Sequence, residues 1–135
     1  MSGLSANFGR YRDKMAEKSI LIVDDSLIIT ERLQVMLRGL NNAGAVESAG
    51  DYSQAVRWLQ HTFFDIVCLD INLPGKSGIE LLRHIKAAYP RIVVIMLSNQ
   101  SSDYYRTICK KLDADYFLDK STEFDKVPFI ISSLF

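Results

Sequence analysis

Five side chains suited to metal and phosphate chemistry stand at the ends of short apolar runs. They are Asp24, Asp25, Asp70, Ser98 and Lys120. Three carboxylates brought to one place repel one another and do not all stay ionised without a nearby positive charge. Mg²⁺ binds a few carboxylate oxygens and leaves positions for water or phosphate. If the fold brings these residues together, they form a cation site in which the lysine neutralises carboxylates or an incoming phosphoryl group.

The apolar runs that carry these residues predict strands. Four runs are rich in apolar residues without polar alternation, as in strands buried on both faces, and a fifth alternates, as in a strand nearer an edge. The four are Ile20–Val23, Asp65–Asp70, Ile92–Leu97 and Tyr116–Leu118, and the alternating run is Ala45–Ala49. Between them, apolar residues three and four positions apart predict helices with one buried face.

Capping and breaking residues predict where two of the helices begin or end. Ser77 followed by Glu80 forms a capping box that starts the third helix. Pro90 ends that helix before the next strand. The last helix is predicted to begin near Thr122 and Glu123. Pro128 would then lie deep inside it, which predicts a late start or a kink.

Strand and helix alternate five times along the chain. This order predicts an α/β fold with a doubly wound, five-stranded parallel sheet and helices on both faces. Ligands of such sheets bind outside the carboxyl ends of the strands. The five polar side chains are therefore predicted to meet at one edge of the sheet.

Composition limits the classes of function. The chain has 135 residues, with 16 basic and 16 acidic side chains, so its zero net charge gives no general attraction to nucleic acid or to an anionic membrane. Cys68 and Cys109 lie in apolar and helical patterns and are expected to be buried or half-buried thiols. No apolar stretch reaches the length of a membrane span. These features predict a cytoplasmic location.

The first residues differ in composition from the rest of the chain. Residues 1–18 mix small, polar and basic residues with scattered apolar ones and are predicted to be an N-terminal extension, either flexible or a short helix. Residues 19–135 hold the domain.

Four motifs give this chain a family resemblance. They are Ile-Leu-Ile-Val-Asp24-Asp25-Ser26, Asp70-Ile-Asn-Leu-Pro74-Gly-Lys-Ser-Gly78, Met-Leu-Ser98 and Tyr-Phe117-Leu-Asp-Lys120. Asp70 lies 45 positions after Asp25, Ser98 lies 28 positions after Asp70, and Lys120 lies 22 positions after Ser98. In this order and spacing, residues 19–135 resemble a receiver domain of the two-component response regulators, of the stand-alone type. The resemblance implies the flavodoxin-like strand order 2-1-3-4-5 and a phosphoprotein of a phosphorelay.

The resemblance assigns the acidic residues to phosphoryl transfer. Asp70 would accept the phosphoryl group from a histidine kinase or a small acyl phosphate. Asp25 and Asp70 would bind Mg²⁺ (or Mn²⁺) directly, together with the backbone carbonyl of Asn72, and Asp24 would bind it through water. The chain would catalyse only its own phosphorylation and slow dephosphorylation, so it is not an enzyme in the usual sense.

The resemblance also assigns the switch. Lys120 would pair with Asp70 or the phosphoryl group, Ser98 would donate its hydroxyl to a phosphoryl oxygen, and Phe117 would be the switch aromatic. Phosphorylation would then reshape the surface formed by the fourth helix, fifth strand and fifth helix. The side chains expected to modulate access to the site are Asn72, Asn99 and Gln100.

The implied partners are proteins. A sensor histidine kinase or phosphotransfer protein would act upstream and an unidentified protein downstream, with a homodimer through the switch surface as a further expectation. No direct contact with nucleic acid or membrane is predicted. The chain ends soon after its last helix, so output is expected to pass through a partner unless the chain is a fragment of a longer regulator.

Three positions depart from the family pattern. Asn99 follows Ser98 where a small residue is usual, and Asp113 stands where glycine is frequent. Ser121 follows Lys120 where a proline with a cis bond is usual, and a cis bond before a non-proline residue costs ~2.5–4 kcal/mol. None of these departures removes a reactive group.

Three alternative functions use the same fold. A phosphohydrolase of the haloacid dehalogenase type needs an aspartate two residues after its nucleophile, where this chain has Asn72. A flavodoxin-type module needs a hydroxyl- and glycine-rich phosphate loop after the first strand, where this chain has Asp24 and Asp25. A receiver-like interaction module without phosphorylation would not require the complete set of acidic residues, Ser98 and Lys120.

Overall fold

Strands and helices alternate as predicted in the structure, a computed structural model that describes residues 17–99 and 102–134. The strands are β1 (Lys18–Val23), β2 (Ala43–Ala49), β3 (Ile66–Asp70), β4 (Val93–Ser98) and β5 (Tyr116–Asp119). The helices are α1 (Leu27–Arg38), α2 (Tyr52–His61), α3 (Gly78–Ala88), α4 (Asp103–Lys111) and α5 (Lys126–Ser133). The prediction for the N-terminal extension falls mainly on residues 1–16, which lie outside the described residues, and stays a prediction.

All strand pairs are parallel, in the order β2-β1-β3-β4-β5. This confirms the predicted fold and the edge position of β2. Every residue of β3 is buried, because helices cover both faces of the sheet. The register aligns Val23 with Leu69, and Ser98 with Asp119. The carboxyl ends of the inner strands therefore lie close to one another.

The core has two layers, one on each face of the sheet. Along β1, Leu21 and Val23 face the layer covered by α2, α3 and α4. Ile20 and Ile22 face the layer covered by α1 and α5. Successive side chains of a strand point to opposite faces, so a continuous apolar run supplies both layers.

The third helix has the predicted boundaries and the fifth does not. Ser77 Oγ accepts a hydrogen bond from the N–H of Glu80 at 3.3 Å and caps α3. The predicted start of the last helix near Thr122 and Glu123 is wrong, because α5 begins at Lys126, whereas the late start predicted from Pro128 is confirmed. Pro128 is thus the third residue of the helix, where its missing N–H breaks no helical hydrogen bond.

The end of α4 has an unusual backbone conformation. Asp113 has φ 67°, the left-handed region that favours glycine. Its N–H donates to Lys110 O, and the next N–H, that of Ala114, donates to Cys109 O, both at 3.0 Å. These two bonds form a Schellman motif, in which an aspartate takes the place of the usual glycine.

The helices in the described ranges are too short or too polar to cross a membrane.

Candidate functional site

A lysine and two aspartates meet at the carboxyl ends of the central strands. Lys120, which follows β5, places Nζ 2.5 Å from Asp24 Oδ2 and 3.2 Å from Asp70 Oδ2. The side chains of Lys120, Asp24 and Asp70 are only 8%, 2% and 6% exposed, respectively. Charges this poorly hydrated need partners, and here two carboxylates share one ammonium group.

Asp25 completes an acidic cluster. It is exposed, but Asp24, Asp25 and Asp70 each offer a carboxylate oxygen, and these oxygens lie within 4.8 Å of one another. Asp24 Oδ2 is buried, and its partner among the described residues is the Lys120 ammonium group. This donor set of carboxylate oxygens fits a hard divalent cation such as Mg²⁺.

Backbone N–H groups orient the two buried carboxylates. Ser26 N–H donates to Asp24 Oδ1 at 2.9 Å, and the Ser26 side chain caps α1 by accepting from the N–H of Ile29. Asn72 N–H donates to Asp70 Oδ1 at 3.1 Å. In each aspartate one oxygen is held by the loop that follows it, while the other faces Lys120.

Burial raises the pKa of Asp70 above its usual value. The charge of Asp24 raises it further, whereas the charge of Lys120 and the Asn72 N–H lower it. The ionised form of Asp70 is therefore less stable in the folded protein than in water. A bound cation would favour the ionised form.

Gly78 lets α3 begin directly behind Asp70. Its N–H donates to Ile71 O at 2.8 Å. A Cβ added at Gly78 would lie 1.9 Å from the carbonyl oxygen of Asp70, a distance that no side chain tolerates. This close approach explains the second glycine of the motif that follows Asp70.

Ser98 and Phe117 lie on adjacent strands and on the same face of the sheet. Phe117 pairs in register with Met96, and Ser98 lies two residues beyond Met96 on β4. Residues two apart share a face, and this face is the one that α4 covers. Ser98 is fully buried, whereas Phe117 is half-buried.

Two of the three side chains predicted to modulate access lie within the described residues. Asn72 and Asn99 have exposed side chains beside Asp70 and Ser98 in the chain. Gln100 lies outside the described residues. The role of the Asn72 carbonyl as a metal ligand and the roles of these side chains in access stay predictions.

The segment after Lys120 has a trans backbone. No peptide bond in residues 17–99 or 102–134 is cis, so the Lys120–Ser121 bond is trans. Asp119 Oδ1 accepts hydrogen bonds from the N–H groups of Ser121 at 2.7 Å and Thr122 at 3.3 Å. This side-chain turn directs the chain from β5 toward α5 where the family pattern has proline.

Sequence reasoning missed three side chains that support this region. Thr30 is buried and donates its hydroxyl to Ser26 O at 2.9 Å, which supports the turn after β1. Arg106 and Glu123 surround Phe117 and the end of β5. The position of Thr30, four residues after a helix cap, could have indicated its hydrogen bond to Ser26. Nothing in the sequence distinguishes Arg106 from other basic residues on helices.

A groove of about 700 Å³ lies elsewhere on the molecule. It is lined by the connections from α2 to β3 and from α3 to β4, including Phe63, Phe64, Tyr89 and Pro90. These connections lead into the amino ends of the strands. The groove therefore lies at the opposite end of the strands from the acidic cluster and has no part in its chemistry.

Comparisons with known proteins agree with this arrangement. The family model described as the response regulator receiver domain matches residues 20–131. The Fimbriae Z protein of Salmonella typhimurium is 28% identical over 113 residues, which cover 84% of this chain and 54% of that protein. The chain thus spans about half the length of this relative.

Solved structures share the fold. A CheY-like receiver domain protein from Methanospirillum hungatei has a TM-score of 0.76 and 26% identity, over 85% of this chain and 90% of that one. The BeF₃-activated DrrB receiver domain has a TM-score of 0.74 and 27% identity, over 87% of this chain and 92% of that one.

Proposed function

Because the chain belongs to the family of response regulator receiver domains, whose members are phosphoacceptor signalling domains, we propose that Asp70 is its phosphoacceptor. One observation carries this assignment. Asp70 ends a central strand, is 6% exposed, and lies 3.2 Å from Lys120 within a cluster of three carboxylates. The other two aspartates follow β1 and would hold a cation beside it.

The acidic cluster is the proposed Mg²⁺ site. Asp25 and Asp70 would bind the ion directly, with the Asn72 carbonyl as a further ligand and Asp24 acting through water. When bound, Mg²⁺ would neutralise charge on the phosphoryl oxygens. Three carboxylate oxygens within 4.8 Å of one another, with one ammonium group between two of the carboxylates, support a cation here.

The chain's own residues would supply the rest of the transfer. An Asp70 carboxylate oxygen would form a bond to phosphorus as the bond from phosphorus to the donor's leaving group breaks, which is nucleophilic catalysis by a carboxylate. Lys120 already lies between Asp24 and Asp70. It would pair with a phosphoryl oxygen after transfer. Water would later hydrolyse the acyl phosphate and restore the carboxylate.

The phosphoryl group would act on Ser98 and then on Phe117. Phosphorylation adds close to two negative charges and three acceptor oxygens, to which the Ser98 hydroxyl would donate. Phe117 would then move toward the space that Ser98 leaves. The face formed by α4, β5 and α5 would have two arrangements, and a downstream protein, a second copy, or another part of a longer chain would read the difference.

Receiver domains take the phosphoryl group from histidine kinases or phosphotransfer proteins and act on downstream effectors. We propose both kinds of partner for this chain. We also propose a cytoplasmic location, which agrees with the free thiols of Cys68 and Cys109, since disulfides are rare in the cytosol.

Intact-mass measurement after incubation with acetyl phosphate tests the proposal. The parent protein should gain one phosphoryl group in Mg²⁺ and none in EDTA. Asp70→Asn should gain none in either. Asp65→Asn is a matched control, because Asp65 precedes the same strand at its other end, and it should be phosphorylated like the parent.

An adduct of equal yield in Asp70→Asn would contradict the assignment of Asp70. A folded parent protein that gains no phosphoryl group from acetyl phosphate or a kinase would favour an interaction module without phosphorylation.

A further inference from the structure

We propose that Arg106 is a positioning residue that holds Phe117 in its observed, half-buried position and thereby sets how readily the protein switches. The inference rests on the proposed function, because it concerns the cost of moving Phe117. It adds a residue on α4 that the family motifs do not include.

Arg106 contacts Phe117, the residue at the proposed switch position, in two ways. Its guanidinium carbon lies 4.7 Å from the centre of the Phe117 ring. Its Nη1 donates a hydrogen bond to the Phe117 carbonyl oxygen at 3.3 Å. A cation over an aromatic face is attracted by the electron-rich face of the ring. The two contacts join α4 to both the ring and the backbone of β5.

Glu123 anchors the guanidinium from the other side. Arg106 Nη2 lies 3.4 Å from Glu123 Oε1, which also accepts the N–H of Asp119 at 3.1 Å. Lys126 Nζ lies 2.9 Å from Glu123 Oε2. The hydrogen bond from Lys126 and that from Asp119 hold the pKa of Glu123 below its usual range. Glu123 therefore stays ionised and holds Arg106 over the ring.

This arrangement favours one position of Phe117. If the ring moves toward Ser98, the guanidinium loses its aromatic face while Glu123 keeps it in place. Every state in which Phe117 has moved is thus less stable by the free energy of the Arg106–ring contact. A phosphoryl mimic that requires the moved ring must overcome this difference. Removing the contact should strengthen binding of the mimic.

The experiment measures the affinity for beryllofluoride in Mg²⁺ by amide chemical shifts. Arg106→Met keeps the length and apolar stem of the side chain but removes its charge. It should bind beryllofluoride roughly two- to five-fold more tightly than the parent, the factor that corresponds to ~0.5–1 kcal/mol for a cation–π contact at an exposed site. Arg106→Lys keeps a cation near the ring and should restore part of the parent behaviour.

The protein contains a matched control. Arg32 stacks on Phe124 with the same 4.7 Å between guanidinium carbon and ring centre, but it joins α1 to the segment before α5. Arg32→Met should leave beryllofluoride affinity unchanged. Phe117→Leu removes the ring that Arg106 covers, so adding Arg106→Met to Phe117→Leu should have no further effect on affinity.

The outcomes separate the two proposals. If the parent binds beryllofluoride but Arg106→Met binds it no more tightly, the proposed role of Arg106 is wrong and the proposed function stands. The same conclusion follows if the Arg106→Met change alters the affinity equally in the parent and in Phe117→Leu. If Arg32→Met matches Arg106→Met, the effect is general loosening and the inference fails. If the parent does not bind beryllofluoride at all, the proposed function fails and the inference fails with it.

Discussion

At the scale of single residues, the central feature is the sharing of Lys120 between Asp24 and Asp70. The ammonium group lies closer to Asp24 (2.5 Å) than to the proposed phosphoacceptor (3.2 Å). Asp24 would therefore help to hold the lysine while Asp70 accepts the phosphoryl group. Two like charges 4 Å apart repel by ~1 kcal/mol in water and ~4 kcal/mol at an effective dielectric of 20, so one lysine only partly neutralises the buried pair.

Asp70→Asn should make the metal-free protein more stable at neutral pH. Burial and Asp24 raise the pKa of Asp70 in the folded state. Between its unfolded and folded pKa values the folded state binds more protons, so the free energy of unfolding falls as pH rises through that window. Asparagine removes this loss and keeps an oxygen for the N–H of Asn72. Thermal unfolding in EDTA should show a higher midpoint for Asp70→Asn.

The comparison with Asp25→Asn is the control, because Asp25 is exposed and should gain less. The advantage of Asp70→Asn should shrink as the pH is lowered below the folded pKa of Asp70. A variant that unfolds at a lower temperature than the parent in EDTA at neutral pH would show that the ionised Asp70 stabilises the fold.

Ser98→Ala should still accept a phosphoryl group, but phosphorylation should have little effect on the surroundings of Phe117. The change removes a buried hydroxyl and costs about 1 kcal/mol of stability or less, without touching a carboxylate. In Mg²⁺ and beryllofluoride, the amide shifts around Phe117 should stay close to those of the free protein. Ser133→Ala, on an exposed hydroxyl at the end of α5, should behave as the parent. Parent-like shifts near Phe117 in Ser98→Ala would rule out this coupling.

At the scale of elements, the site is made by the ends of strands and the starts of helices. The loop after β1 orients Asp24 and caps α1 through Ser26. The loop after β3 orients Asp70 and begins α3 at Gly78. Each loop thus holds a carboxylate and begins a helix at the same time. This double use accounts for the polar and small residues that follow each strand.

Asp113→Gly should stabilise the protein by about 0.5–1 kcal/mol. The left-handed conformation costs a residue with a Cβ ~1–2 kcal/mol, and glycine removes that cost while losing more backbone entropy on folding. Urea denaturation measures the change in free energy of unfolding. Asp113→Ala keeps the Cβ and should give no gain. Equal stabilisation by alanine and glycine would assign the effect to the lost charge.

The same elements show how far sequence patterns reach. The apolar runs predicted all five strands because burial on both faces leaves a continuous signal, as in β3. The predicted start of α5 was wrong because two polar residues suggested an N-terminus. The Glu123 carboxylate instead contacts the Asp119 N–H and the side chains of Arg106 and Lys126. Such tertiary use of a side chain leaves no local pattern. The contact of Lys120 with Asp24 depends likewise on side-chain packing.

At the scale of the whole molecule, Mg²⁺ should couple the acidic cluster to global stability. A ligand that binds only the folded state adds ~2.7 kcal/mol at a hundred-fold excess over its dissociation constant. The parent's unfolding temperature should therefore rise with Mg²⁺ concentration, and Asp25→Asn should lose most of that rise. Glu31→Gln removes an exposed carboxylate on α1 and should respond as the parent. An undiminished rise in Asp25→Asn would mean that Mg²⁺ acts elsewhere.

The most direct test of the account identifies the phosphorylated residue itself. The protein is treated with acetyl phosphate and Mg²⁺, and borohydride then reduces any aspartyl phosphate to homoserine, which peptide mass spectrometry locates. We predict homoserine at position 70 and unmodified aspartate at positions 24 and 25, with no homoserine when EDTA is present. Homoserine at position 24 or 25, or a phosphate that resists borohydride on Ser98, would contradict the assignment of Asp70 as the phosphoacceptor.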